Sequence, residues 1–153
     1  MRYSEVRDMT VEILRIPPEV VPGAWAMALP LLREPISMSR GCYEPEDVLA
    51  MCMASDAQLW LAVDSVHGVI AAYVGKVLQY PRKRTYFSLF MGGKPGQIDK
   101  WLKPLIEAVE EWSKTWGCEA LEISGRKGWT RKVEGEVIAA HMIREFPAMQ
   151  EVH

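Results

Sequence analysis

The chain has little of what would commit it to metal, disulfide, hydrolytic or membrane chemistry. Its three cysteines, Cys42, Cys52 and Cys118, are an odd number at wide spacings with no C-x-x-C pair. That excludes the usual zinc patterns and a disulfide framework, and reduced, buried thiols are the expectation. The histidines stand at 67, 141 and 153, no two at a ligand spacing, and no H-E-x-x-H occurs, so no metal is expected. His141, between Ala140 and Met142, reads as a half-buried histidine. No G-x-S-x-G elbow supports serine hydrolysis. No apolar run approaches the roughly 20 residues a membrane helix needs. Met1 to Asp8 has no apolar core, so no secretory leader is expected. A formal net charge of -2 lacks the basic excess that phosphate neutralisation requires, and nucleic acid is not an expected partner. The expected setting is the cytoplasm.

What is present suits one globular domain over residues 1–153. Hydrophobic residues make up 49% and charged residues 25%, enough of both for a real core and a solvated surface. Val11 to Ile16 has a strand's composition and is cut off by Pro17 and Pro18. A helix follows, with Val20, Val21, Ala24, Met27, Ala28, Leu31 and Leu32 at three- and four-residue steps; Pro30 and Pro35 are expected to end or kink it. Glu44 to Asp47 starts a second helix, acidic at its positive end, which Ser55 and Asp56 stop.

Runs 59–63, 69–78 and 86–91 read as an antiparallel meander. The basic cluster Arg82-Lys83-Arg84 lies at a hairpin tip, where it also discourages edge pairing. A helix over 97–116 has Ile98, Trp101, Leu102, Leu105, Ile106, Val109, Trp112 and Trp116 on one stripe, all expected in the core, with Gly117 as its cap. Pro104 should kink it or mark a later start. A strand over 118–123, a short helix near 126–133 and a last strand over 136–143 complete the order β-α-α-β-β-β-α-β-α-β. That order predicts an α+β fold with a mixed sheet.

The stretch from Glu119 to Arg131, a short buried strand breaking at Gly125 into a basic turn, is the most informative. Such a turn places backbone N–H groups and cations beside an anionic ligand. The element order resembles the GNAT superfamily of acyl-CoA-dependent N-acyltransferases over nearly the whole chain. The resemblance implies acetyl-CoA or another acyl-CoA bound where strands 86–91 and 118–123 splay apart. Its diphosphate would rest on the loop Gly92-Gly93-Lys94-Pro95-Gly96-Gln97, held by amides near Gly93, Gly96 and Gln97. The family's second motif, Asn-x2-Ala-x3-Tyr-x3-Gly-Phe, falls on Ser124, Lys127, Arg131 and Gly135. Ser124, Arg126 and Arg131 are then cofactor contacts, but Arg131 stands where the family has a tyrosine acid. A guanidinium with a pKa above about 12 holds an anion and does not act as that acid. The glycine spacing of the loop also departs from the family's, Pro95 removes one donor, and Asp99 adds a negative charge at the helix end. The run Gly125 to Arg131 is similar as well to divergent GNAT-like proteins encoded by tailed phages.

Each candidate has a second reading. The loop is either a phosphate cradle or an ordinary strand-to-helix turn. Arg126, Lys127, Arg131 and Lys132 form a cationic rim, or the solvated face of a short helix anchored by Trp129. Glu122 is the catalytic candidate, a base with a raised pKa, or the partner of a basic residue. Trp25, Met27, Met51 and Met53 lie on the early helices, and soft methionine surfaces suit a homo-oligomer contact. Two functions follow from the resemblance: acyl-CoA binding with N-acetyl transfer to an amine, or a non-catalytic GNAT-shaped interaction protein.

Overall fold

The computed structural model describes residues 10–124, 131–138 and 141–148. Val11–Ile16 forms β1. Helices α1 (Val21–Ser37) and α2 (Pro45–Met53) follow. Then come β2 (Gln58–Asp64), β3 (Gly68–Gln79) and β4 (Arg84–Gly93). Helix α3 (Ile98–Thr115) returns the chain to β5 (Ala120–Ile123). The strands form one sheet in sequence order. β1 to β4 are antiparallel neighbours, and β5 runs parallel to β4. This is the mixed α+β sheet that the sequence predicts.

Period-two alternation divides the core between two faces of the sheet. Leu59, Leu61, Ala72 and Val74 face α1, which buries Val21, Ala24, Ala28, Leu32 and Ile36 against them. Trp60, Ala62, Ala71, Tyr73 and Tyr86 face α3, which buries Trp101, Leu102, Leu105 and Val109.

The three prolines inside the helices do not end them. α1 runs unbroken through Pro30 and Pro35, and α3 through Pro104. Each proline deprives a carbonyl four residues back of its partner. The carbonyl freed by Pro30 belongs to exposed Ala26, and that freed by Pro104 to exposed Lys100. The Leu31 carbonyl, freed by Pro35, lies against Gly92 of β4, where a side chain would collide with it. Burial of the apolar stripes outweighs three lost bonds.

Some exposures also differ from the expectation. Trp116, expected in the core with the α3 stripe, is 56% exposed at the C-cap, just past the last helical residue. Cys42 and His141 are exposed, whereas Cys52 and Cys118 are buried. Burial pushes the Cys52 thiol up to about 12, so it stays protonated. The short helix expected near 126–133 lies outside the described residues except for 131–133. Residues 136–138 and 141–143 of the expected last strand carry no strand pairing. No helix among the described residues is long and apolar enough to cross a membrane.

Candidate functional site

Strand β4 is half-paired on its β5 side. Thr85, Tyr86, Phe87 and Ser88 stand opposite Ala120, Leu121, Glu122 and Ile123, and there the pairing stops. β4 continues to Gly93, so residues 89–93 have no neighbour on that side among the described residues. At the same place the register with β3 slips: Val74 faces Phe90, and Gly75 faces Ser88. Leu89 is therefore an extra residue, a bulge that re-aims the strand just past its last pair with β5. Among the described residues the backbone groups on that side of 89–93 have no strand partner, so they retain hydrogen-bonding capacity.

Below this opening the strand is pinned by buried hydroxyls. Ser88 and Tyr73 share a short hydrogen bond between their hydroxyls. Tyr73 stacks on Tyr86 at 6.5 Å. The Tyr86 hydroxyl donates to Gln58 Oε1 at 2.8 Å and accepts from Trp60 Nε1 at 3.1 Å. Burial pushes both phenols well above their ordinary pKa, so they stay neutral.

Above the opening lies the head of α3. The Lys94 amide donates to the Ile70 carbonyl at 2.8 Å, and its ammonium donates to the His67 carbonyl at 3.1 Å. Gly96 has φ +73 and open space around it, a conformation that glycine takes without strain. At the head of α3 the Gln97 amide donates to the Lys94 carbonyl at 3.3 Å and the Lys100 amide to the Gln97 carbonyl at 2.9 Å, while the amides of Ile98 and Asp99, the first two helical positions, have no acceptor within the helix. The expected handicap at Asp99 is offset, because Lys132 Nζ lies 3.4 Å from its carboxylate. Lys100 Nζ lies 3.6 Å from Asp64. Asp64 also accepts the Val66 amide at 2.9 Å and contacts His67 Nδ1 at 3.0 Å. The Val66 N–H, then His67, then Lys100 hold its carboxyl down at about 2. Lys94, Lys100 and Lys132 thus lie near the positive end of a helix, but Lys100 and Lys132 are each paired with a carboxylate, and of these lysines Lys94 alone has no carboxylate partner among the described residues.

Two buried polar atoms sit here with no hydrogen-bond partner among the described residues: Gln97 Oε1 and Trp101 Nε1, one helical turn apart. An unsatisfied buried donor costs about 1–3 kcal/mol. The Trp101 indole, 2% exposed, lies on Gly93, where an added Cβ would come within 2.7 Å of Nε1. Gly93 is thereby required by packing under an indole, a role the sequence reading missed. Trp101 was legible only as a member of the apolar stripe.

The site residues expected from sequence divide into groups. Gly93, Gly96 and Gln97 lie together between β4 and α3, and Ser124 is exposed just beyond the end of β5. Arg131 is exposed, and its neighbour Lys132 reaches the first turn of α3. Arg126, Lys127 and Trp129 lie outside the described residues. Glu122 is on the paired part of β5. Its Oε2 accepts the Tyr80 hydroxyl at 2.8 Å and the Thr85 hydroxyl at 2.5 Å, where a basic partner was the alternative expected. In the basic cluster, Arg84 spends its guanidinium on Gln79 Oε1 at 2.7 Å and the Trp116 carbonyl at 2.6 Å.

No protein-family model matches the sequence, and no curated protein matches it. Solved structures do match the fold. An aminoglycoside acetyltransferase from an uncultured soil metagenomic sample, solved with sisomicin, superposes with a TM-score of 0.62 at 14% identity, covering 88% of this chain and 97% of that one. A predicted acetyltransferase from Clostridium acetobutylicum, solved with acetyl-CoA, gives 0.61 at 8% identity, over 88% and 96%. A ribosomal-protein-alanine N-acetyltransferase from Brucella melitensis gives 0.60 at 10% identity, over 90% and 100%. With β5 parallel to a bulged β4 and α3 connecting the two, the chain has the GNAT fold of these acetyltransferases.

Proposed function

We propose that this chain binds an acyl-CoA, acetyl-CoA being the simplest, and transfers the acyl group to a primary amine. The observation that carries the reading is the edge of β4 from Leu89 to Gly93, which past the end of β5 has no strand partner among the described residues. The likeness to an acetyltransferase solved with acetyl-CoA supports it. The residues fit such a ligand. Gly96, Gln97 and the first-turn amides of α3 would hold the diphosphate, with Lys94 as a nearby counter-charge. The orphaned Trp101 indole N–H has a donor to offer at the same end of the cleft. Ser124, Arg126 and Arg131 would add side-chain contacts from the β5 side.

An acyl-CoA supplies an activated thioester. In the transfer a C–N bond forms as the C–S bond breaks, and the proton lost by the amine ends on the departing sulfur. The chain's own part is positioning and charge stabilisation by fixed backbone donors. Glu122 is the sole carboxylate on β4 and β5. Its Oε2 is already shared by two hydroxyls, so in this reading it orders β5 against Tyr80 and Thr85. That same engagement is also what the alternative expects, a non-catalytic structural or interaction protein of the same fold, which acetyl-CoA would not stabilise.

Thermal unfolding with acetyl-CoA tests binding. At about 100 times Kd a ligand of the native state adds about 2.7 kcal/mol, or roughly 5–10 °C for a chain of this size. Gly96→Asp, which strains a positive φ and puts a carboxylate at the helix head, should abolish the shift. No shift with the unaltered chain would contradict the proposal.

A further inference from the structure

A cavity of about 360 Å³ opens between the end of α1 and the start of α2, bounded by Arg33, Ile36, Gly41, Tyr43 and Glu44. Its rim is built rather than loose. Arg40 and Gly41, at φ 57 and 85, form a turn closed by the Cys42 amide on the Ser39 carbonyl at 3.1 Å. The Tyr43 amide donates to Ser39 Oγ at 3.1 Å. The Tyr43 ring then stands edge-on to Phe90, at 5.4 Å and 83°. Phe90 follows the bulged Leu89, so the cavity adjoins the open part of β4.

The charges around it are unequal. Arg40 is paired with Glu145 at 3.1 Å. Glu44 stands at the N-cap of α2, where the helix's positive end offsets its charge, and its amide donates to the Asp47 carboxylate at 2.9 Å. Arg33, by contrast, has no carboxylate partner among the described residues. It is the uncompensated charge in the wall.

We infer that the accepting amine carries a carboxylate, held by Arg33 across this cavity. The acceptor class is an amino acid or the N-terminus of an acidic peptide, not a polycation. The planar guanidinium fork matches a carboxylate with two parallel hydrogen bonds. A polycationic amine would instead meet a like charge beside the bulge. This inference rests on the acyl-transfer reading, since it names the second substrate of that same site.

The test is acetyl transfer, read as release of free CoA thiol. L-alanine is compared with L-alaninamide, C-terminally amidated alanyl-glutamate with C-terminally amidated alanyl-lysine, and spermidine serves as the polycation. The acidic member of each pair should be favoured in kcat/KM by roughly tenfold or more, the worth of one charge-assisted pair. Arg33→Gln should erase that preference and Arg33→Glu reverse it, with the stabilisation by acetyl-CoA retained in both variants. Equal rates within the pairs, a preference for spermidine, or an unchanged preference in Arg33→Glu would overturn the inference. So would stabilisation by acetyl-CoA without transfer to any acidic amine. Absence of that stabilisation would instead overturn the acyl-CoA reading, and the inference with it.

Discussion

From Thr85 to Ser88, β4 is held on both edges, by β3 and by β5, and Tyr86 and Ser88 tie it into buried hydroxyl pairs. From Phe90 to Gly93 it pairs with β3, and past Ser88 its other edge has no strand partner among the described residues. One strand thus serves as anchor over four residues and as open hydrogen-bonding edge over the next five. The difference is made by a single extra residue, Leu89, and by where β5 ends. Stability should therefore concentrate below the bulge and ligand binding above it.

Substitutions can break that division. The largest expected effect is at Tyr86→Ala, which empties a buried aromatic site and leaves Gln58 Oε1 and Trp60 Nε1 without their partner. It should cost about 3–5 kcal/mol in urea denaturation. A loss below ~1 kcal/mol would show that the paired half is not the anchor. Gly93→Ala should cost less, about 1–3 kcal/mol, because the methyl would force the Trp101 indole aside. If it is neutral, the indole is not fixed on the strand end.

The smallest effect is a pH dependence at the head of α3. Asp64 has its carboxyl lowered from 3.8 to about 2, first by the Val66 amide. A depressed folded pKa means a contribution to stability that is present above the unfolded value and lost on acidification. The melting temperature of Asp64→Asn should thus lie below that of the unaltered chain at pH 6. The gap should close as pH falls through about 4 toward about 2. A gap that persists to pH 2 would mean that the carboxylate is not what orders the Asp64–His67 turn.

The stripe of α3 was legible because its apolar residues recur at three and four over five turns, and one long helix leaves few alternatives. The meander was legible from turns at Asp64 to Gly68 and at the Pro81 cluster. That the helices run on through Pro30, Pro35 and Pro104 was not legible, because a proline's cost depends on where the freed carbonyl goes, and only the folded chain shows Ala26 and Lys100 exposed and Leu31 against Gly92. The bulge was hidden for a related reason. Leu89 is one apolar residue among several, and only the register against β3 marks it as extra. The partners of Glu122, at Tyr80 and Thr85, lie 42 and 37 residues away, beyond any local pattern. Arg33 carried no sequence signal, because its lack of a partner is a property of the assembled wall.

Residue-resolved amide hydrogen exchange, with and without saturating acetyl-CoA, tests the division of β4 most directly. Added ligand should slow exchange at Leu89, Phe90, Met91 and the first turn of α3, and leave Thr85 to Ser88 as they were. Unchanged exchange from Leu89 to Gly93 in the presence of acetyl-CoA would contradict the account.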